Sequence, residues 1–290
     1  MPLIEIKSLS KHFGSVRAID EISFDVDEGE VFGFLGPNGA GKTTTIRCMM
    51  DFIRPTSGEI FLMNKNAQRD GVALKWDIGY LSGSVKLYDN WTGQEHINFA
   101  RALARKPDIA TELIERTGFD PRVKAKQLSS GNKQKLGLIL AFMFEPRLLI
   151  LDEPTNALDP ILQNTVYDLI REQTSKGATV FMSSHNLTEV ERVCSRVGVI
   201  RQGKIVALES VEGLRQKQMY NIKASFQGVF DKADFFGVGE VTIVDQTDDT
   251  LLMKAKSEIG PVLRVLSGMR LKNLEIKRAS LEDIFLEYYQ

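Results

Sequence analysis

The stretch GPNGAGKT, Gly36 to Thr43, decides how the rest of the chain reads. Before it stands an apolar run, VFGFLG (Val31 to Gly36), and after it TTTIRCMMDFI, where Ile46, Met49, Met50 and Ile53 recur at helical spacing. A pattern G-x-x-x-x-G-K-[ST] set between a buried strand and a helix, here predicted over Thr43 to Ile53, is a phosphate-binding loop. Its glycines let backbone amides turn inward, the helix offers its positive end, Lys42 adds a point charge, and the Thr43 hydroxyl is placed to ligate magnesium. Gly36, Pro37, Asn38, Gly39, Ala40, Gly41, Lys42, Thr43 and Thr44 are therefore the candidate nucleotide-binding residues.

A magnesium nucleotide needs a second oxygen ligand, and RLLILDEP supplies a candidate. Leu148 to Leu151 suits a buried strand, and Asp152 at its C-terminal end can reach a metal held by Thr43. Glu153 is suited to orient or deprotonate a water attacking a γ-phosphoryl group. Standing alone, Asp-Glu-Pro would read equally well as a solvated turn. His185 ends a third run, ATVFMSSH, at the edge where such sheets bind ligands, and can donate a hydrogen bond to a phosphate oxygen; the alternative is a surface histidine capping the next helix. Only two cysteines, Cys48 and Cys194, and three histidines, His12, His96 and His185, are present, so no Cys/His zinc cluster is expected.

The 290 residues, 43% hydrophobic and 26% charged, suggest a large core with a smaller appended domain. With 37 basic and 38 acidic residues, the net charge of −1 gives no reason to expect direct nucleic-acid binding. No leader and no apolar run approaching 18 residues is visible, so neither secretion nor membrane spanning is expected, and the sparse cysteines fit a reducing compartment.

Two alternating runs, LIEIKSLSKHFG and AIDEISFDVDEGE, read as half-buried strands. Helices are predicted over Gln94 to Ala104 and Ile109 to Thr117, in the segment after Leu128, over ILQNTVYDLIREQTSKG and over LTEVERVC, with a hairpin about Gln202-Gly203. Strands alternating with helices imply an α/β core with largely parallel strands. Composition shifts near Leu214, so the division is placed at 1–215 and 216–290. The tail reads as a small α+β domain of alternating strands, a helix within IGPVLRVLSGM, a strand LKNLEIKRA, and a last helix SLEDIFLEYY capped by Ser280.

Taken in order, Phe13, GPNGAGKT, LSSGN, LLILDEP, NALD and SSH resemble the ATP-binding subunit of an ABC transporter over about Leu3 to Ser210. The resemblance implies a P-loop ATPase core with a mixed sheet and a helical signature subdomain, ATP and Mg2+ as cofactors, and Glu153, His185 and Lys42 as catalytic residues. Thr43 and Asp152 would hold the metal. Phe13 would stack on adenine, although its local sequence also suits a core strand. The turn Leu128 to Asn132 would cover the γ-phosphate held by a second subunit, through Ser129 and the Gly131 amide, where local sequence alone suggests a helix cap. Asn156 to Asp159 would link the two composite sites of a homodimer.

The signature here reads Ser130-Gly131-Asn132, where relatives usually have Gly-Gly-Gln. After IGYL, Ser82 and Gly83 stand where relatives place proline and then glutamine or glutamate, which bears on metal ligation and coupling. Leu87, Tyr88 and Trp91 either anchor a partner helix or pack beneath their own loop. The tail resembles the extension of ABC-2 type exporter ATP-binding proteins. The expectation is a cytoplasmic ATPase, peripheral on the inner face of the membrane, energising export through a separate transmembrane permease. The alternatives are a soluble ABC-type ATPase acting on a macromolecular assembly and a low-turnover, nucleotide-gated regulatory subunit.

Overall fold

Alternation in the first thirty residues makes an antiparallel pair, β1 (Pro2–Phe13) and β2 (Val16–Asp27), which buries Ile4, Ile6, Leu9, Ile19, Ile22, Phe24 and Val26. The computed structural model describes residues 2–104, 106–216, 219–227, 230–235, 237–238, 240–256 and 259–278. The chain divides into two units, Met1–Val211 and Glu212–Gln290.

In the first unit the elements continue as β3 (Val31–Leu35), α1 (Lys42–Met49), β4 (Ser57–Leu62), β5 (Lys65–Asn66), α2 (Gly71–Leu74) and β6 (Ile78–Leu81). Helices α3 (Gly93–Ala104), α4 (Ala110–Thr117) and α5 (Ser130–Phe142) follow. Then come β7 (Leu148–Asp152), α6 (Pro160–Ser175), β8 (Thr179–Ser184), α7 (Leu187–Val193), β9 (Arg196–Arg201) and β10 (Lys204–Ser210), and α8 (Val211–Gln216) spans the division into the second unit. Two sheets result: β2-β1-β4-β5, antiparallel, and β10-β9-β3-β8-β7-β6, parallel except for the β9–β10 hairpin at Gln202-Gly203. This is the mixed sheet expected.

Phe24 from the first sheet stacks against Phe32, Phe34 and Phe181 of the second with ring centroids 5.4 to 6.0 Å apart, so aromatic packing joins the two layers. Both cysteines are buried and unpaired, and burial pushes the Cys48 thiol up to about 11, which keeps it protonated.

One boundary differs from the sequence reading. The first helix ends at Met49 rather than Ile53, because Asp51 enters the left-handed region (φ 52°) and the Phe52 amide closes back on the Arg47 carbonyl at 2.9 Å. That turn leaves the Phe52 ring half exposed and edge-on to Tyr80, with centroids 5.4 Å apart.

The helical segment is held to the core through glycines. A Cβ on Gly79 of β6 would stand 2.1 Å from the Ala141 carbonyl oxygen, so α5 lies nearly against the strand backbone. Gly137 of α5 admits the side chains of Leu81 and Val85 in the same way.

The second unit is an antiparallel sheet, ordered β12-β13-β11-β14, built from β11 (Met219–Phe226), β12 (Glu240–Gln246), β13 (Thr250–Lys256) and β14 (Leu271–Arg278). Helix α9 (Gly260–Ser267) buries Val262 and Leu266 in a core with Ile222, Ala224, Phe226, Leu251 and Met253. This is the small α+β module. The helix read over residues 280–289, with Ser280 as its cap, lies outside the described residues. Among the described residues no helix is long and apolar enough to cross a membrane.

Candidate functional site

Parallel register gathers the site. Leu35 pairs with Ser184, Asp152 with Ser183, and Leu81 with Leu151, so the C-terminal ends of β3, β8, β7 and β6 lie side by side. A sheet of this kind binds ligands at that edge.

The loop leaving β3 passes through a space that only glycine fits. A Cβ on Gly36 would lie 2.3 Å from the Ile200 carbonyl oxygen, and one on Gly41, whose φ is +116°, would lie 2.6 Å from the Ala18 carbonyl oxygen. The Ala40 carbonyl accepts a hydrogen bond from the Gly203 amide at 2.9 Å, which ties the loop to the β9–β10 turn. Pro37, Asn38, Gly39, Gly41, Lys42, Thr43 and Thr44 line a cavity of about 590 Å³ together with Asp152 and Glu153. Ala40 is buried and takes no part in the lining, and Gly36 faces the sheet rather than the cavity.

Lys42, only 6% exposed, converges with the two other proposed catalytic side chains. Its ammonium donates to the Gly36 carbonyl at 2.6 Å and lies 3.2 Å from one Glu153 carboxylate oxygen. The other Glu153 oxygen lies 2.7 Å from His185 Nδ1. Glu153 has a φ of +52°, a conformation costly for a non-glycine residue, so the turn after β7 spends backbone energy to aim this carboxylate. His185 is not a helix cap: Asn186 caps α7, accepting the Thr188 amide.

The two residues expected to hold a metal, Thr43 and Asp152, offer oxygen donors. Thr43 Oγ1 donates to Asp152 Oδ2 at 2.8 Å, and Ser183 Oγ donates to Oδ1 at 2.6 Å. An acidic carboxylate, 1% exposed and paired with a threonine hydroxyl that can rotate away, fits a small hard cation such as magnesium. Ser183 Oγ also accepts the Glu153 amide at 3.1 Å, so one hydroxyl positions both acids. The Tyr80 phenol lines the cavity and is held above its ordinary value, first by burial and then by the nearby Asp152 charge. A Cβ on Gly83 would stand 3.2 Å from Asp152 Oδ2, so the loop after β6 passes directly beside that carboxylate.

Three called residues lie away from this cavity. Phe13, at the end of β1, is 50% exposed with the Lys11 ammonium 4.9 Å from its ring centroid, which excludes the core-strand alternative. Ser129 and Gly131 open α5: Ser129 Oγ caps the helix by accepting the Asn132 amide at 3.2 Å. Gly131 presses on the NALD loop, since a Cβ there would be 2.9 Å from the Ala157 carbonyl oxygen. Gln134, one turn further on, donates to the Pro154 carbonyl at 3.0 Å and so joins the signature helix to the turn that carries Glu153. Tyr88 and Trp91 pack together with centroids 4.6 Å apart, while Tyr88 stays 60% exposed, so the two readings of that loop are not exclusive.

Sequence reasoning missed Ser183, Gln134, Tyr80, Phe52, Arg47 and Lys86, of which all but Ser183 and Gln134 line the cavity. The signal for Ser183 was present: in a parallel sheet the last residues of the neighbouring strand meet Asp152, and Ser183 is the last but one of β8.

Comparison with known proteins agrees with this geometry. Residues 19–156 match the sequence family described as ABC transporter. An uncharacterized ABC transporter ATP-binding protein of Bacillus subtilis (strain 168), YhcH, is 33% identical over 295 residues, covering 98% of this chain and 95% of the relative. The bacitracin transport ATP-binding protein BcrA of Bacillus licheniformis is 37% identical over 212 residues, 70% of this chain and 68% of the relative. Among solved structures, an ATP-binding subunit of an ABC transporter superposes with a TM-score of 0.68 at 28% identity, covering 74% of this chain and 92% of that one.

Proposed function

The chain belongs to the family of ABC transporter ATP-binding proteins, and from that premise we propose that it is a magnesium-dependent ATPase subunit that pairs with a second copy and energises export through a separate permease. Membership carries ATP binding and hydrolysis. The observation that supports the catalytic assignment is the chain Lys42–Glu153–His185, held by contacts of 3.2 and 2.7 Å beside the Thr43–Asp152 pair.

In this reading the loop amides and Lys42 bind the β- and γ-phosphates, and Lys42 stabilises charge on the transferred group. Thr43 and Asp152 would hold magnesium, which when bound would supply Lewis-acid polarisation of the phosphate oxygens. Glu153 orients the attacking water, and His185 holds the Glu153 carboxylate and donates toward the γ-phosphate. Phe13, half exposed, offers its ring face to adenine. Pairing with a second copy is supported by Ser129 and Gly131, which lie outside the lining of their own chain's cavity. They present a helix N-terminus for the partner's nucleotide. Transport draws support from likeness to a bacitracin transport protein, the direction of export rests on the resemblance of the tail, and the surface about Tyr88 and Trp91 is the proposed seat of the permease.

Gly83 favours one second reading, a subunit that binds ATP but turns it over slowly until its permease is present. Phosphate release and dimerisation of the purified chain separate the two. The motor reading expects Mg-dependent turnover lowered at least about a hundredfold by Lys42→Ala and by Glu153→Gln. It also expects a dimer trapped by ATP in the second variant. Unchanged turnover in Lys42→Ala rejects the catalytic assignment, and tight binding with no turnover above the Glu153→Gln background favours the slow subunit.

A further inference from the structure

The loop after β6 brings a cation to the nucleotide cavity. Lys86 lines that cavity with Ser82, Gly83 and Ser84, on the side where Gly83 abuts Asp152. Its position is fixed from both sides. Ser82 Oγ donates to the Ser84 carbonyl at 2.9 Å, and the methyls of Val85 close on Gly137 of α5, where an added Cβ would come within 2.8 Å of them. Two residues, Ser84 and Val85, separate Gly83 from Lys86, at most about 10 Å of extended chain from Cα to Cα, and the lysine stem spans several ångströms more. Lys86 lines the same cavity as Asp152 and Thr43, and its stem is long enough to carry the ammonium to a phosphate bound there.

Among the described residues Lys86 has no ion pair and no hydrogen bond through its side chain. Three cations line the cavity, Lys42, Arg47 and Lys86, and Lys42 is already matched by Glu153. Of the other two, Lys86 is the one carried by the loop whose Gly83 abuts Asp152. An unmatched ammonium facing a phosphate cavity is a group waiting for an anion. Because Gly83 carries no side chain, nothing at that position stands between the loop and the terminal phosphate.

We propose that Lys86 contacts the terminal phosphate of a bound nucleoside triphosphate and thereby makes this chain prefer triphosphate over diphosphate. The proposal rests on the nucleotide-site reading above. Lys86 takes no part in the chemical step; it reads the charge that a diphosphate lacks.

The test is equilibrium titration of the full chain with ADP and with the non-hydrolysable β,γ-imido triphosphate, with and without magnesium, for the wild type and for Lys86→Met, Lys86→Arg and Lys42→Ala. Lys86→Met is expected to weaken triphosphate binding about tenfold and ADP binding less than about twofold. Lys86→Arg is expected to restore most of the difference. The effect of Lys86→Met is expected to shrink in ~0.5 M salt, because the side chain is exposed to screening. The ratio should survive without magnesium, since the contact does not run through the metal. Equal weakening of both nucleotides, or an unchanged triphosphate affinity, overturns the proposal while Lys42→Ala still abolishes binding. Wild-type protein that binds neither nucleotide overturns the nucleotide-site reading and the proposal together.

Discussion

At the scale of single residues, the charges of the site are closed on one another. Lys42 sits in a cage of two loop carbonyls and the Glu153 carboxylate, with contacts of 2.6, 3.3 and 3.2 Å. An incoming phosphate must take Lys42 from Glu153, so the residue assigned to position water also competes with the nucleotide. Removing its charge leaves a buried ammonium short of a partner, which favours any anion. Glu153→Gln is therefore expected to bind ADP several-fold more tightly than wild type, by roughly 1 kcal/mol. ADP titration measures this without turnover or dimer trapping; equal or weaker ADP binding would show that the cage does not oppose nucleotide.

At the scale of elements, the contact that matters most joins α5 to β6. Gly79 and Gly137 make this a stiff connection by letting helix backbone, strand and loop side chains meet without intervening atoms. Gln134 adds a second link, from the first turns of α5 to the carbonyls of Glu153 and Pro154. Gly79→Ala would drive a methyl into the Ala141 carbonyl and the Leu149 and Pro146 side chains. It is expected to destabilise the first unit by about 2–3 kcal/mol, read as a lowered urea midpoint. A variant as stable as wild type would mean that the helix can slide on the strand and that the connection is soft.

For the whole molecule, two units have separate cores. The nucleotide cavity is built wholly from residues of Met1–Val211, while Glu212–Gln290 has its own core around Ile222, Met253 and Val262. A ligand stabilises only what it binds, so saturating MgATP on the Glu153→Gln protein is expected to raise one calorimetric transition by several degrees and leave a second in place. A single transition that moves as one would show that the units unfold together.

Much of the site was legible because its chemistry is carried by short contiguous strings. GPNGAGKT, LLILDEP and SSH each name a strand end and the side chains just past it, and β3, β7 and β8 form where those strings predict. Strand β4 and the true end of α1 were not legible, since the first is a short partner of β1 and the second depends on Asp51 turning left-handed. By itself, then, the sequence determined the fold class and the strings that end the strands around the cavity, because local pattern suffices for those. Only the tertiary structure decided that Ser183 bonds both Asp152 and the Glu153 amide, that Lys42 is caged by Glu153, and that Gly83 lies beside Asp152 in a cavity Lys86 also lines. Those relations depend on which strands pair and in what register, a long-range outcome of packing that no single stretch of chain encodes.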